Sequence, residues 1–146
     1  MVCPFCNADE TAVIDSRRNS DGSSVRRRRK CPKCDSRFTT YEKTEILLIV
    51  QKRSGNLEEF QIEKLQKGIE SAFGGQDITE KQLKSLVGNI YNEIKEKGKK
   101  VKSNFIGEKV LEHLKTVNEV AYLRYASVYK EFSEASDFEK EVAEFN

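Results

Sequence analysis

Missing from these 146 residues is any apolar run near the roughly 20 residues a membrane-spanning helix needs. Missing too is a signal peptide's apolar core behind the N-terminus, so no membrane association is expected and a reducing cytoplasm is the expected compartment. No glycine-rich loop ending in Lys-Ser or Lys-Thr occurs, which leaves P-loop hydrolysis without its phosphate cradle. Histidine is nearly absent. His113 stands alone beside Glu112 on a predicted helix and reads as a surface or partly packed side chain. No general base, nucleophile or metal-held phosphate loop is recognisable, so the chain is not expected to be an enzyme. Cysteine is scarce as well, yet all four cysteines fall into two matched pairs, Cys3-Pro4-Phe5-Cys6 and Cys31-Pro32-Lys33-Cys34.

Two residues between paired thiols let a tight turn point both sulfurs at one ion. Two such turns supply four thiolates from Cys3, Cys6, Cys31 and Cys34. The expected result is a closed tetrahedral zinc site, one ion per chain, with no open position for catalytic water. The alternative is two disulfides or four buried thiols, which a reducing compartment disfavours. Residues 1–45 are too few for an apolar core of their own, and segments near ~40 residues usually need a metal or disulfides. Between the pairs, Thr11 to Arg17 reads as a strand, Asn19 to Ser23 as a turn, Ser24 to Lys30 as a second strand and Arg37 to Glu42 as a third. Phe5, Phe38 and Tyr41 are expected to cover the metal. Knuckle, hairpin, knuckle and further strand make a zinc ribbon.

Residues 1–45 carry ten Lys/Arg against seven Asp/Glu, and the rest of the chain sixteen against seventeen. The clustering says more than the sum. Arg26, Arg27, Arg28, Arg29 and Lys30 lie on the predicted second strand, whose alternation makes both faces basic. Arg17, Arg18 and Arg37 widen the patch. A guanidinium grips phosphate or guanine edges with two hydrogen bonds, so double-stranded DNA is the expected partner, against a merely solvated charged strand.

Composition changes near Glu45. Ile46 to Val50 and Leu57 to Phe60 form a hairpin whose bend carries Lys52 and Arg53. With Lys64 on the next helix, these are candidate phosphate partners, against a solvated basic hairpin. Four helices are expected. The first carries Ile62, Leu65, Ile69 and Phe73 and stops at Gly74-Gly75. The second opens with a Thr79–Gln82 capping box and ends at Gly98. The third is capped by Ser103 or Asn104. The fourth is capped by Asn118 and bears Val120, Tyr122, Tyr125, Tyr129 and Phe132. The acidic end, 133–146, reads as a short helix or a tail. The expected class is α+β in two small domains. Residues 1–45 form a zinc ribbon, 46–136 a β-hairpin on a four-helix bundle, and 137–146 an acidic tail.

These motifs resemble the NrdR family, bacterial repressors of ribonucleotide reductase genes. Cys-Pro-Phe-Cys at 3–6, Asp-Ser-Arg at 15–17, Val-Arg-Arg-Arg-Arg at 25–29 and Arg-Phe-Thr-Thr-Tyr-Glu at 37–42 are similar to the family's ribbon. Val-Gln-Lys-Arg-Ser-Gly at 50–55, Glu-Lys-Leu at 63–65, Ile-Gly-Glu-Lys-Val at 106–110 and Val-Ala-Tyr-Leu-Arg-Tyr-Ala-Ser-Val-Tyr at 120–129 are similar to its ATP-cone. The resemblance implies a ribbon that binds DNA upstream of reductase operons. It implies a cone that binds ATP or dATP and sets the homo-oligomeric state, with the dATP-loaded form repressing. It carries nucleotide contacts over to Val50, Lys52, Arg53, Glu58, Lys64 and Ser103. The family usually has Asp where this chain has Ser54 and Gln61. On linkage grounds, Tyr125 and Tyr129 are the expected relay from nucleotide to subunit interface. The competing reading is a general zinc-ribbon nucleic-acid-binding protein whose second domain binds a protein partner.

Overall fold

The computed structural model describes residues 1–145. The chain divides into two compact units, Met1–Ile46 and Leu47–Asn146. The first is a three-stranded antiparallel sheet in the order β1 (Ala12–Arg18), β2 (Ser24–Lys30), β3 (Arg37–Lys43). Asn19 builds the β1–β2 turn. Its amide donates to the Ser24 carbonyl at 3.0 Å, and its side-chain oxygen accepts from the Ser24 amide at 3.1 Å. Gly22 supplies the left-handed residue, φ 76°. A bulge at Ile14 shifts the β1 register between Val13 and Asp15. Among the described residues of this unit only Cys3 and Cys31 are buried, so its interior is the thiol cluster. Phe5 and Tyr41 do not cover it as expected; they remain 66% and 63% exposed.

In the second unit, β4 (Ile49–Gln51) pairs antiparallel with β5 (Leu57–Glu59) and parallel with β6 (Lys100–Lys102). Five helices follow or flank this small sheet: α1 (Ile62–Phe73), α2 (Glu80–Lys97), α3 (Ser103–Val117), α4 (Glu119–Tyr129) and α5 (Ala135–Ala143). One core runs through the unit. Ile69 of α1, Ile90 and Ile94 of α2, and Val110 and Leu114 of α3 are wholly inaccessible to solvent. Each such burial is worth about 1.5–3 kcal/mol. The apolar stripes are those the helical spacing predicts, except that Ile62 and Val120 are exposed. The Thr79–Gln82 capping box and the Asn118 cap form as expected. The acidic end is helical over α5; Phe138 of α5 meets Phe132, three residues past α4, edge-on, and Phe145, two residues past α5, meets Tyr122 of α4 in the same way.

Candidate functional site

The two cysteine turns are built alike. In the first, the Asn7 amide donates to the Cys3 carbonyl and the Cys3 amide to the Ala8 carbonyl, both at 2.9 Å. In the second, Asp35 and Cys31 donate to Cys31 and Ser36 in the same pattern at the same distances. Asn7 and Asp35 take the left-handed conformation, φ 63° and 60°, which these two residue types tolerate best after glycine. The equivalent turns face each other and bring all four sulfurs within 4.8 Å of one another. Cys3 and Cys34 stand 3.7 Å apart, Cys6 and Cys31 3.6 Å. Sulfurs bound at 2.3 Å to a tetrahedral zinc ion would stand about 3.8 Å apart, so this donor set fits that ion. The Ser36 hydroxyl and amide hold the Cys34 thiol down to about 6. The Ala8 amide favours the Cys6 thiolate, but burial and the neighbouring thiols outweigh it and push Cys6 up to about 11. Crowded thiolates of this kind are what a divalent cation stabilises.

Strand register sorts the arginines onto two faces. Arg26 opposes Arg17 and Tyr41, Arg28 opposes Asp15 and Thr39, and Lys30 opposes Arg37. Residues directly opposite share a face, so Arg17, Arg26, Arg28, Lys30 and Arg37 lie together. Arg26, Arg28 and Arg37 have no side-chain partner among the described residues, and Arg17 meets only Asp15 at 3.1 Å, well exposed. Arg27 and Arg29 lie on the other face and are engaged internally. Arg27 donates to Ser16 Oγ at 3.0 Å and to Glu42 at 3.4 Å, and Arg29 Nε donates to Thr40 Oγ1 at 3.0 Å. Of the seven arginines named from the sequence, Arg17, Arg26, Arg28 and Arg37 thus share one face, Arg27 and Arg29 are held by their neighbours on the other, and Arg18 stands opposite Val25.

In the second unit, a cleft of about 470 Å³ is lined by Val50, Lys52, Arg53, Glu58, Lys64 and Ser103 together. These are the six positions expected to meet a nucleotide. Lys52 and Lys64 both pair with Glu58, at 3.0 and 3.7 Å, and Lys52 holds the Glu58 carboxyl below the usual carboxylate range. Two helix N-termini border the cleft: Gln61 before α1 and Lys102–Ser103 at α3. Neither carries a side-chain cap. Ser103 or Asn104 is the cap expected for α3, but Ser103 is already its first residue and Asn104 its second. Uncapped amides and the positive end of each helix dipole suit an anion. Ser54 takes up the hairpin bend by accepting from the Asn56 amide at 3.4 Å.

Tyr125 and Tyr129, expected as relays, line the same cleft with their rings stacked 6.1 Å apart. Arg53 lies 5.0 Å over the Tyr129 ring, donates to the Tyr129 carbonyl at 2.9 Å, and donates to Asn104 Oδ1 at 3.1 Å. Glu131 lines the cleft and Asn104 holds Arg53 at its edge, and the sequence marks neither as a site residue. Asn104 was legible only as a helix cap, and Glu131 has no local signal. His113 lies apart from this cleft and meets Glu93 at 3.2 Å.

Residues 1–42 match the family described as Transcriptional repressor NrdR-like, N-terminal domain, and residues 48–135 match the ATP cone domain. The transcriptional repressor NrdR of Corynebacterium glutamicum (strain R) is 47% identical over 143 residues, 97% of this chain and 94% of the relative. That of Thermobifida fusca (strain YX) is 46% identical over 145 residues, 99% of this chain and 94% of the relative. That of Halomicrobium mukohataei is 46% identical over 144 residues, 97% of this chain and 89% of the relative.

Proposed function

Since the chain belongs to the NrdR family, we propose that it is a zinc-dependent, nucleotide-responsive transcriptional repressor of ribonucleotide reductase operons. It acts where the DNA is, in the cytoplasm, and not as an enzyme. One observation carries the DNA half. Arg26, Arg28 and Arg37 share one face with no side-chain partner among the described residues, Arg17 stands directly opposite Arg26 there, and Lys30 opposite Arg37 is met only by Asp35 at 3.6 Å; like charges directly opposite are destabilising unless an anion bridges them. Backbone phosphate supplies that anion, and the same guanidiniums reach base edges. Arg27 and Arg29 hold the sheet together and leave the contacts to Arg17, Arg26, Arg28 and Arg37. Zinc bound by Cys3, Cys6, Cys31 and Cys34 replaces the missing apolar core and so fixes the strands that carry the arginines.

The cleft takes ATP or dATP. Lys52, Arg53, Lys64 and the uncapped start of α3 at Ser103 meet the phosphates. Glu58 holds the two lysines in place. Val50 and the apolar wall beside Tyr125 receive the base. Tyr125 and Tyr129 line both the cleft and a second groove between α1 and α4 beside Arg124 and Val128, so they relay occupancy to a homo-oligomeric interface. Nucleotide control requires that one oligomer bind dATP better than another; a coupling of ~1–3 kcal/mol changes affinity ~5–150-fold.

The test is a gel shift of the zinc-loaded protein on DNA from upstream of the host's own reductase operon, with ATP and with dATP. Strong binding with dATP and weak binding with ATP is expected. Binding indifferent to the nucleotide would retain the DNA-binding ribbon and discard the sensor. No shift in any condition would favour a protein partner for the second unit.

A further inference from the structure

Arg53 closes the end of α4. The last carbonyls of a helix lack internal partners, and the Tyr129 carbonyl finds one in the Arg53 guanidinium at 2.9 Å. The cleft's arginine is therefore placed by the last turn of α4, and that turn is itself tied from outside. Lys130, the next residue, donates to both Glu141 oxygens, at 2.8 and 3.1 Å. The Tyr122 hydroxyl donates to the same carboxylate at 2.6 Å. Glu141 is 5% exposed, the one buried charged residue among those described. Glu131, one residue further, takes the left-handed conformation, φ 56°, so the chain turns sharply where the tie is made. Glu141 belongs to α5, and all of that helix after Ala135 lies beyond the 48–135 segment matched by the cone family.

A carboxylate is costly to bury unless it is paired and hydrogen-bonded, and here it is both. We propose that Glu141 is a positioning residue for the cleft: by fixing Tyr122 and Lys130 it holds the end of α4, and through Tyr129 it holds Arg53 where a nucleotide's phosphates bind. The proposal rests on the nucleotide reading of the cleft. On this view α5 is part of the sensor, and the polyphosphate-binding arginine is set from about one helix away by a group that never touches ligand.

The experiment is calorimetric titration of the full zinc-loaded chain with dATP and with ATP. Four forms are compared: the parent, Glu141→Gln, Arg53→Ala and the double variant. Glu141→Gln is expected to weaken Kd by about threefold to thirtyfold. The double variant is expected to be no weaker than Arg53→Ala alone, because Glu141 acts through Arg53. Tyr122→Phe, which removes one hydrogen bond and keeps the ring, provides a milder loss if Glu141→Gln does not fold. Val87→Ala, in the core of α2, lowers thermal stability without this route and should leave Kd unchanged. An unchanged Kd in Glu141→Gln or Tyr122→Phe, or losses that simply add in the double variant, overturns the proposal alone. A parent protein that binds no adenine nucleotide overturns the cleft reading and this proposal with it.

Discussion

Arg28 and Arg29 are chain neighbours with the same chemistry and opposite surroundings. Arg28 has no side-chain partner among the described residues, while Arg29 is held by Thr40. Arg28→Ala should therefore flatten the dependence of DNA affinity on salt, by about 0.9 in the log–log slope for each phosphate contact removed. Arg29→Ala should leave the slope alone and lower the ribbon's thermal stability instead. Filter binding across a salt series separates the two, and equal slopes for both variants would contradict the assignment of faces. Gly107 makes a comparable case in the cleft. Alanine in mid-helix ordinarily stabilises by about 1 kcal/mol over glycine, but a Cβ here would run into the Tyr129 ring. Overpacking costs about 1–3 kcal/mol. Gly107→Ala should thus displace Tyr129 from beneath Arg53 and weaken dATP binding at least severalfold. Calorimetry with an unaltered Kd would show that the ring position is immaterial.

Among the elements, α5 gives a pH prediction. Burial alone would raise the Glu141 carboxyl, yet the hydrogen bonds from Lys130 and Tyr122 prevail and hold it below the usual value. The Lys130 ammonium is raised, chiefly by Glu141. A depressed carboxyl contributes stability that is present above its unfolded value and is lost as pH falls through the folded one. A raised ammonium contributes stability that persists until pH climbs through its folded value. The melting-temperature gap between parent and Glu141→Gln should hence be flat through neutral pH and shrink in acid, below the ordinary carboxylate range. A gap that persists unchanged in acid would mean that charge is not what Glu141 contributes.

Which elements the sequence announces follows from how local their causes are. The paired thiols, the Thr79 capping box and the 3.6-residue stripes of α1 to α3 are short-range patterns, and each is found in place. The strand β6 is not announced, because Lys-Val-Lys carries one apolar residue and its parallel pairing to β4 is purely tertiary. The alternation of Arg26 to Arg29 is plain in the sequence, but the choice of open face is not. That choice depends on the Ile14 bulge and on which β3 residues stand opposite. The Arg53–Asn104 contact joins residues 51 positions apart. No local pattern marks it, so Asn104 reads as a cap. Instead the cap is absent, and the amides it would have satisfied are left for the cleft. Parity also limits how β2 can vary. A one-residue insertion between Val25 and Arg26, with the pairing of Val25 kept, would exchange the held arginines with the unpaired ones.

At the scale of the whole molecule, the two units draw their stability from different sources. Residues from Leu48 onward share an apolar core, whereas Met1–Ile46 bury only Cys3 and Cys31. Chelation should therefore unfold the first unit and abolish DNA binding while the second still melts cooperatively and still binds dATP. Circular dichroism, calorimetry and gel shift on one chelated sample check all three. A single concerted loss would mean that the units are energetically inseparable. The thiol cluster then has a consequence for the logic of control. On the proposed function, a closed promoter requires ion and deoxynucleotide together, a conjunction of two inputs. Failure of either yields the same output. A cell short of zinc would transcribe its reductase genes as though its dATP pool were empty.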